Sequence, residues 1–370
     1  MNDIIIAGGG VAAFECACAA RKQNPDVKIT IYSGEEVLPY RRPALSALAA
    51  SDGEIPGTFF IKSKEFYDDD SIDVKCSVRV EKINPAAHTV ELSDGEVVSY
   101  GKLIIATGSA ARRIPVPGAD GENCFVLRDY RDLMLIRRRV KANRCAVIGG
   151  GLLGLELADS LLKRGCSVTI IECADRLLPR NLDVVGSGIL EKQISKCGNL
   201  ELLVGKKVRE ITQSSVVLDD GTVPCDTVFF STGVTPVYPE CDGLAVDCGI
   251  VVDQNMKSSI EDIYAAGDCA QFGQCVCGLY TTASAMGKIA GVCAAGGAAE
   301  YVADTPAARL NALGVKLFSA GVFDDSLAGE SEQNGENYRR IFLKKDGSLA
   351  GAILIGDVSE AVKLLKQLNS

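Results

Sequence analysis

The chain of 370 residues has no tryptophan and one histidine, His88. That histidine falls in a predicted hairpin running to Val98, with its turn at Asp94-Gly95, far in sequence from every other motif. Histidine-driven acid–base or nucleophilic chemistry is therefore excluded on inventory. Basic residues are outnumbered, 39 Lys and Arg against 48 Asp and Glu, for a net charge of −9. Such a balance argues against nucleic acid as the main partner. No apolar run reaches the roughly 18 residues of a membrane span. The first predicted strand begins at Ile4, so no leader peptide is expected and a cytoplasmic protein is.

Cysteine is not scarce. There are 15, but the chain is too long for a small disulfide scaffold. Cys145, Cys166, Cys225 and Cys248 lie in or beside apolar strands, where a reduced thiol acts as a small hydrophobe. Cys16 and Cys18 are two apart on a predicted helix and point to different faces. Cys269, Cys275 and Cys277 cluster in a predicted loop. No fourth ligand follows at zinc spacing, so no metal is assigned, and a dithiol role there stays open.

What the chain has is two glycine-rich turns. Ile4-Ile5-Ile6-Ala7 runs into Gly8-Gly9-Gly10-Val11-Ala12-Ala13, and Ala146-Val147-Ile148 into Gly149-Gly150-Gly151-Leu152-Leu153-Gly154. Each is an apolar strand, a turn and a helix-forming run. The first glycine makes the tight turn and the second admits a pyrophosphate. The third position, Ala13 or Gly154, keeps helix and strand close, and the phosphates rest on the helix N-terminus. A second apolar strand follows each turn and leads to an acid that can accept from a ribose 2′-OH. After Lys28–Tyr32 it is Glu35 or Glu36, displaced by Ser33-Gly34. After Val168–Ile171 it is Glu172. No Arg or Lys directly follows Glu172, so a 2′-phosphate is repelled, although Arg176 nearby moderates this. Two dinucleotides in one chain imply electron transfer between them. The expected class is α/β, with two Rossmann-like domains and a small α+β domain at the C-terminal end.

Further segments come in a telling order: Leu103-Ile104-Ile105-Ala106-Thr107-Gly108, Gly233-Val234-Thr235-Pro236 and Ile263-Tyr264-Ala265-Ala266-Gly267-Asp268. With the two turns, they make the sequence resemble the FAD-dependent pyridine nucleotide oxidoreductases. Leu38-Pro39-Tyr40-Arg41-Arg42-Pro43-Ala44-Leu45-Ser46 resembles the branch of rubredoxin reductases, nitrite-reductase flavoproteins and oxygenase ferredoxin reductases. Length and the ending Gly356-Asp357-Val358 are most similar to the rubredoxin reductases.

The resemblance implies FAD and NADH as cofactors. Gly8, Gly10 and Ala13 would hold the FAD pyrophosphate, Glu35 the adenosine ribose and Arg42 the diphosphate. Pro43 would pack near the flavin, and Val80 would offer backbone to adenine. Thr107 and Gly108 would end a strand against the cofactor, and Asp268 would bond the ribityl chain. A helix starting near Thr282 would aim its N-terminus at the flavin pyrimidine, where reduced flavin carries negative charge. Gly149, Gly151, Leu153, Gly154, Glu172 and Gly233 would hold NADH, and Glu156 the nicotinamide amide. The resemblance also implies a hydride passed from NADH to FAD, then electrons to a separate acceptor, a rubredoxin or similar small iron protein. The alternatives are an NADH oxidase, an electron-input subunit of a nitrite-reductase-like system, and a non-catalytic FAD/NAD-binding module. Docking an acidic carrier needs a basic patch, for which Arg112-Arg113, Arg137-Arg138-Arg139 and Lys206-Lys207 are candidates.

The departures matter too. There is no CxxxxC beside the first helix, and Ala44, Leu45 and Ser46 stand where single-cysteine relatives carry their thiol. Ala47 replaces a lysine that pairs with the Glu156 equivalent in some relatives, which leaves the role of Glu156 open. Tyr280 stands roughly where relatives carry a tryptophan. The expected divisions are 1–108 with 237–300 for FAD, 109–236 for NAD, and 301–370. The NAD part would open with a helix over Arg128–Lys141. The last part would hold strands at Val315–Phe323, Tyr338–Lys344 and Leu349–Ile355, a polar loop at Gly329–Asn337, and a helix over Ser359–Leu368. Its short length favours a monomer or weak dimer.

Overall fold

A computed structural model describes residues 3–141, 143–274, 276, 278–324 and 326–369. Cys275 and Cys277, two of the three members of the expected cysteine cluster, lie outside the described residues.

Two five-stranded parallel sheets dominate. In the first, Ile4–Ala7 lies at the centre between Ile29–Ser33 and Lys102–Ile105, with Ile72–Cys76 at one edge and Ile263–Ala265 at the other. Every residue of the central strand is buried, as a strand covered on both faces requires. The second sheet repeats the plan around Arg144–Ile148, flanked by Ser167–Ile171 and Thr227–Phe230, with Leu200–Leu203 and Cys124–Val126 outermost. The chain thus leaves the first sheet after Ile105, builds the second, and returns at Ile263. Both expected hairpins form, through Asp94-Gly95 and through Asp219-Asp220-Gly221.

Small residues let backbones touch where the first sheet is covered. Helix Val11–Gln23 packs on helix Tyr280–Ala294 so closely that a Cβ added at Gly287 would sit 2.3 Å from the Ala12 carbonyl oxygen. Cys16 is fully buried and Cys18 half-buried, as different helix faces require. The 280–294 helix starts two residues earlier than the Thr282 reading. Helix Tyr130–Arg139 starts later than Arg128 because Asp129 and Asp132 form a capping box.

Residues 307–355 form a five-stranded antiparallel sheet, closed by helix Ala361–Leu368. The expected polar loop at Gly329–Asn337 is wrong. Ala328–Asn334 is an edge strand pairing with Asn337–Leu343. All its residues are exposed, so no apolar alternation marks it. Ala307–Ala312 is another strand missed in the sequence. This sheet shares its interior with the second parallel sheet: Leu317, Phe342 and Ile353 join Leu155, Leu177 and Ile194 in one cluster, together with Tyr40, Leu45 and Phe59. Tyr338 Oη donates to Asp183 Oδ2 at 2.6 Å across that junction. Among the described residues, no helix is long and apolar enough to cross a membrane.

Candidate functional site

Both turns are built as the glycines demand. Gly8 has φ +121° and Gly149 φ +109°. A Cβ there would fall 2.1 Å from the Ala106 oxygen or 2.3 Å from the Ser231 oxygen. A Cβ on Gly154 would meet the Gly149 oxygen at 2.0 Å, so this glycine keeps helix Leu152–Lys163 on its turn. Ala13 does the same work on the first helix and is fully buried. Gly10 and Gly151 are different. Nothing lies within 4 Å of a Cβ at either, and each is a helix N-cap with no side-chain cap. Both helix N-termini therefore face open space, the cradle a pyrophosphate needs. Leu153, in the first turn of the second helix, is 56% exposed.

The strand ends differ. Gly8 N–H donates to the Tyr32 carbonyl and Gly149 N–H to the Ile171 carbonyl. Ser33 therefore occupies in the first unit the position of Glu172 in the second. Glu172 reaches back to its turn: Oε2 accepts from Gly150 N–H at 2.7 Å and Oε1 from Ala174 N–H at 2.8 Å. Glu35 lies two residues past Ser33, and its carboxylate is engaged elsewhere. It accepts from Arg42 Nη2 at 2.6 Å, Tyr40 Oη at 2.6 Å and Tyr130 N–H at 3.3 Å. Glu36 is exposed. Val80 opens a strand whose approach runs beside this segment, with Val78 N–H on the Ser33 carbonyl.

Charged groups continue along the first unit. Arg42 donates to the Arg128 carbonyl. The Arg128 guanidinium bonds Asp268 Oδ2 at 2.7 Å and Ser109 Oγ at 2.7 Å. Arg128 is a site residue that no sequence motif marked; only its partnership with Asp268 reveals it. Thr107 Oγ1 donates to the Val237 carbonyl, and Val237 N–H to the Gly108 carbonyl, where the chain crosses between the two sheets. Gly233, at φ +94°, stands beside Arg112, whose guanidinium holds the Thr232 carbonyl. Pro43 caps helix Ala44–Leu48 at an exposed position. Thr282 lies in the first turn of the 280–294 helix, which has no side-chain cap.

Glu156 is not left alone by the missing lysine. Ser46 Oγ donates to its Oε2 at 3.1 Å. Burial pushes its carboxyl above the ordinary value, and the serine bond opposes that.

The thiols described near the site are held as weak acids; Cys173, beside the second turn, donates its S–H to Glu172 Oε1 at 3.4 Å, and burial raises its pKa. Cys269 is fully buried and hydrogen-bonded to the Ile105 and Ala266 carbonyls, and burial pushes its pKa up. Burial likewise raises Cys18 and Cys225 to about 11, away from the reactive thiolate. Cys248, expected beside an apolar strand, is exposed. The described residues contain no His/Cys/Asp/Glu group able to hold a metal. His88 is exposed on its hairpin against Tyr100.

The basic candidates are mostly spent internally. Arg137 is buried and donates to the Ser51 and Gly53 carbonyls, Arg113 to those of Ala119 and Cys124, and Lys206 pairs with Asp220. Arg138, Arg139 and Lys207 remain exposed. A cavity of about 680 Å³ opens between Val37, Leu38, Arg41, Phe60, Ile61 and Lys62, and none of the turn glycines lines it.

Fold and site together define an oxidoreductase with two dinucleotide cradles and no thiol or metal relay among the described residues. The chain belongs to the pyridine nucleotide-disulphide oxidoreductase family, which residues 2–287 match; residues 306–370 match the rubredoxin NAD+ reductase C-terminal domain. It is 32% identical to the NADH-rubredoxin oxidoreductase of Clostridium acetobutylicum, over 99% of this chain and 94% of that protein. The crystal structure of that enzyme superposes with a TM-score of 0.83, at 31% identity over 99% of this chain and 94% of that one. A nitrite reductase [NAD(P)H] of Bacillus subtilis is 30% identical over the whole chain, which spans 47% of its length. Membership makes FAD and NADH the cofactors. The open Gly10 and Gly151 faces and the uncapped helix N-termini fit both.

Proposed function

We propose that the chain passes electrons from NADH through FAD to a separate one-electron acceptor, a rubredoxin or similar small iron protein. The observation that carries this is the pairing of two open turns with the lack of any reactive thiol, metal cluster or histidine among the described residues around them. Bound FAD would take a hydride from NADH and release electrons singly, so no protein acid or base is required.

The chain's own residues bind and orient. Gly8, Gly10 and Ala13 carry the FAD pyrophosphate on the first helix, and Arg42 meets its charge. Glu35 holds Arg42 from behind, and its Oε1, which accepts only from Arg42 among the described residues, keeps a site for the adenosine ribose. Val80 lines the adenine side and Pro43 the flavin side. Thr107, Gly108 and Asp268 close the pocket from the strand ends, with Thr282 on the facing helix. Gly149, Gly151, Leu153, Gly154 and Gly233 seat NADH, Glu172 takes its ribose, and Glu156 its carboxamide. Residues 1–108 and 237–300 form the FAD part, 109–236 the NAD part and 301–370 the third unit, in a cytoplasmic monomer or weak dimer.

A second reading, the electron-input half of a nitrite-reductase-like system, is favoured by the whole-chain match to the Bacillus subtilis enzyme. Stopped-flow mixing with NADH should bleach the flavin, and adding oxidised rubredoxin should restore it within the turnover time. Bleaching that only nitrite-reductase partners or dioxygen can reverse would overturn rubredoxin as the acceptor. No bleaching at all would leave a binding module.

A further inference from the structure

Glu156 lies on helix Leu152–Lys163, one turn beyond Gly151. Its carboxylate is half-buried and, among the described residues, has one hydrogen-bond donor, Ser46. Ser46 is fixed in turn. It is buried in the short helix Ala44–Leu48, and its carbonyl accepts from Ser160 Oγ at 2.6 Å. Glu156 and Ser160 stand four apart on one helix face, so that face grips Ser46 through both its hydroxyl and its backbone. With Oε2 occupied, Oε1 is left to accept.

Resting on the assignment of the Gly149–Glu172 unit to NADH, we propose that Ser46 is a positioning residue for the nicotinamide: its hydroxyl turns the Glu156 carboxylate so that Oε1 accepts from the carboxamide NH₂. The chemistry favours a hydroxyl here. A hydride leaving the nicotinamide ring leaves positive charge behind, and a fixed anion beside the ring stabilises it. An ammonium partner would cancel that charge, whereas a serine donates one hydrogen bond and leaves the carboxylate anionic. Ser46 follows Arg42-Pro43 by a few residues, so the loop proposed to hold one cofactor also orients the other.

The test uses the FAD-loaded protein and two ligands, NAD⁺ and ADP-ribose, which lacks the nicotinamide. Dissociation constants come from flavin-fluorescence titration. Ser46→Ala should weaken NAD⁺ by roughly three- to tenfold, the range of one ordinary hydrogen bond since Ser46 acts through Glu156, and leave ADP-ribose within about twofold. KM for NADH should rise with it. Glu156→Gln should show the same contrast, and the double variant should be no worse than Glu156→Gln alone. If Ser46→Ala fails to load FAD, Ser46→Cys, which keeps the size of the side chain and weakens the donor, takes its place with the same expected contrast. Equal NAD⁺ binding by variant and wild type, a parallel loss of ADP-ribose, or additive effects in the double variant would overturn the role of Ser46. Wild-type protein that binds neither ligand would instead overturn the NADH-site assignment itself.

Discussion

Arg128 and Asp268 stand 140 residues apart in the sequence and form an ion pair at 2.7 Å, with Ser109 bonded to both. The pair joins the segment where the chain enters its second parallel sheet to the motif where it returns to the first. Arg42 reaches the Arg128 carbonyl and pairs with Glu35, so two guanidiniums lie between two carboxylates.

Arg128→Ala should cut FAD affinity by tenfold or more. It should also lower the stability of the apoprotein by about 1–3 kcal/mol, because a partly buried Asp268 loses its partner. Flavin content after dialysis and the melting temperature of apoprotein measure the two effects separately. An unchanged apoprotein melt would mean that the pair adds nothing to the fold.

The two kinds of glycine should fail differently. Gly10→Val puts a side chain into open space, so the apoprotein should fold with near wild-type stability and bind no FAD. Gly8→Ala drives a Cβ into the Ala106 carbonyl at a positive φ and should cost several kcal/mol of stability. Circular dichroism melts and flavin absorbance read both. A flavin-replete Gly10→Val protein would refute the first-turn assignment.

Glu172 should set nucleotide choice. One contact that accepts from a 2′-OH and repels a 2′-phosphate is worth on the order of 1–3 kcal/mol, so NADH should exceed NADPH in kcat/KM by roughly 10- to 100-fold. Glu172→Ala should shrink that ratio most of the way to unity. It also frees the Gly150 and Ala174 N–H groups, so some loss with NADH is expected as well. Wild-type rates that are equal with both nucleotides would end this role.

Asp132, in the capping box of helix Tyr130–Arg139, is pushed from its ordinary 3.8 to about 6, first by burial and then by Asp129; Arg113 and two backbone N–H groups oppose the shift. The folded protein keeps this proton where the unfolded chain has already lost it. The associated stability is therefore full below about pH 4 and is lost as the pH rises to about 6, with an upper size of roughly 2–3 kcal/mol. Asp132→Asn has no proton to lose. The melting temperature of wild type relative to that variant should fall between about pH 4 and 6 and level off above. A difference that is flat across this window would show that Asp132 titrates normally.

Elements with a strong local signal were legible: the two strand–turn–helix units, the hairpins at Asp94-Gly95 and Asp219-Asp220-Gly221, and the apolar strands around Ile4 and Val147. The open helix starts at Gly10 and Gly151 could be read because glycines at this spacing leave room beside a helix N-terminus. Pairs far apart in sequence could not. Nothing near Asp268 announces Arg128, and Ala47 suggested a solitary Glu156 because a hydroxyl donor such as Ser46 has no charge pattern to betray it. The Ala328–Asn334 strand was missed for a related reason. An edge strand with both faces in solvent has no buried side to impose a period on its residues.

The C-terminal sheet has no interior of its own on the side that meets the second parallel sheet; Leu317, Phe342 and Ile353 belong to a core whose other half is Leu155, Leu177 and Ile194. Melting units therefore need not follow the count of sheets, and a protease cut near residue 305 would release no free-standing piece. Recombination is limited in the same way. Grafting residues 306–370 from a relative would bring half of a foreign core, so the facing residues Leu155, Leu177 and Ile194 would have to be repacked with it.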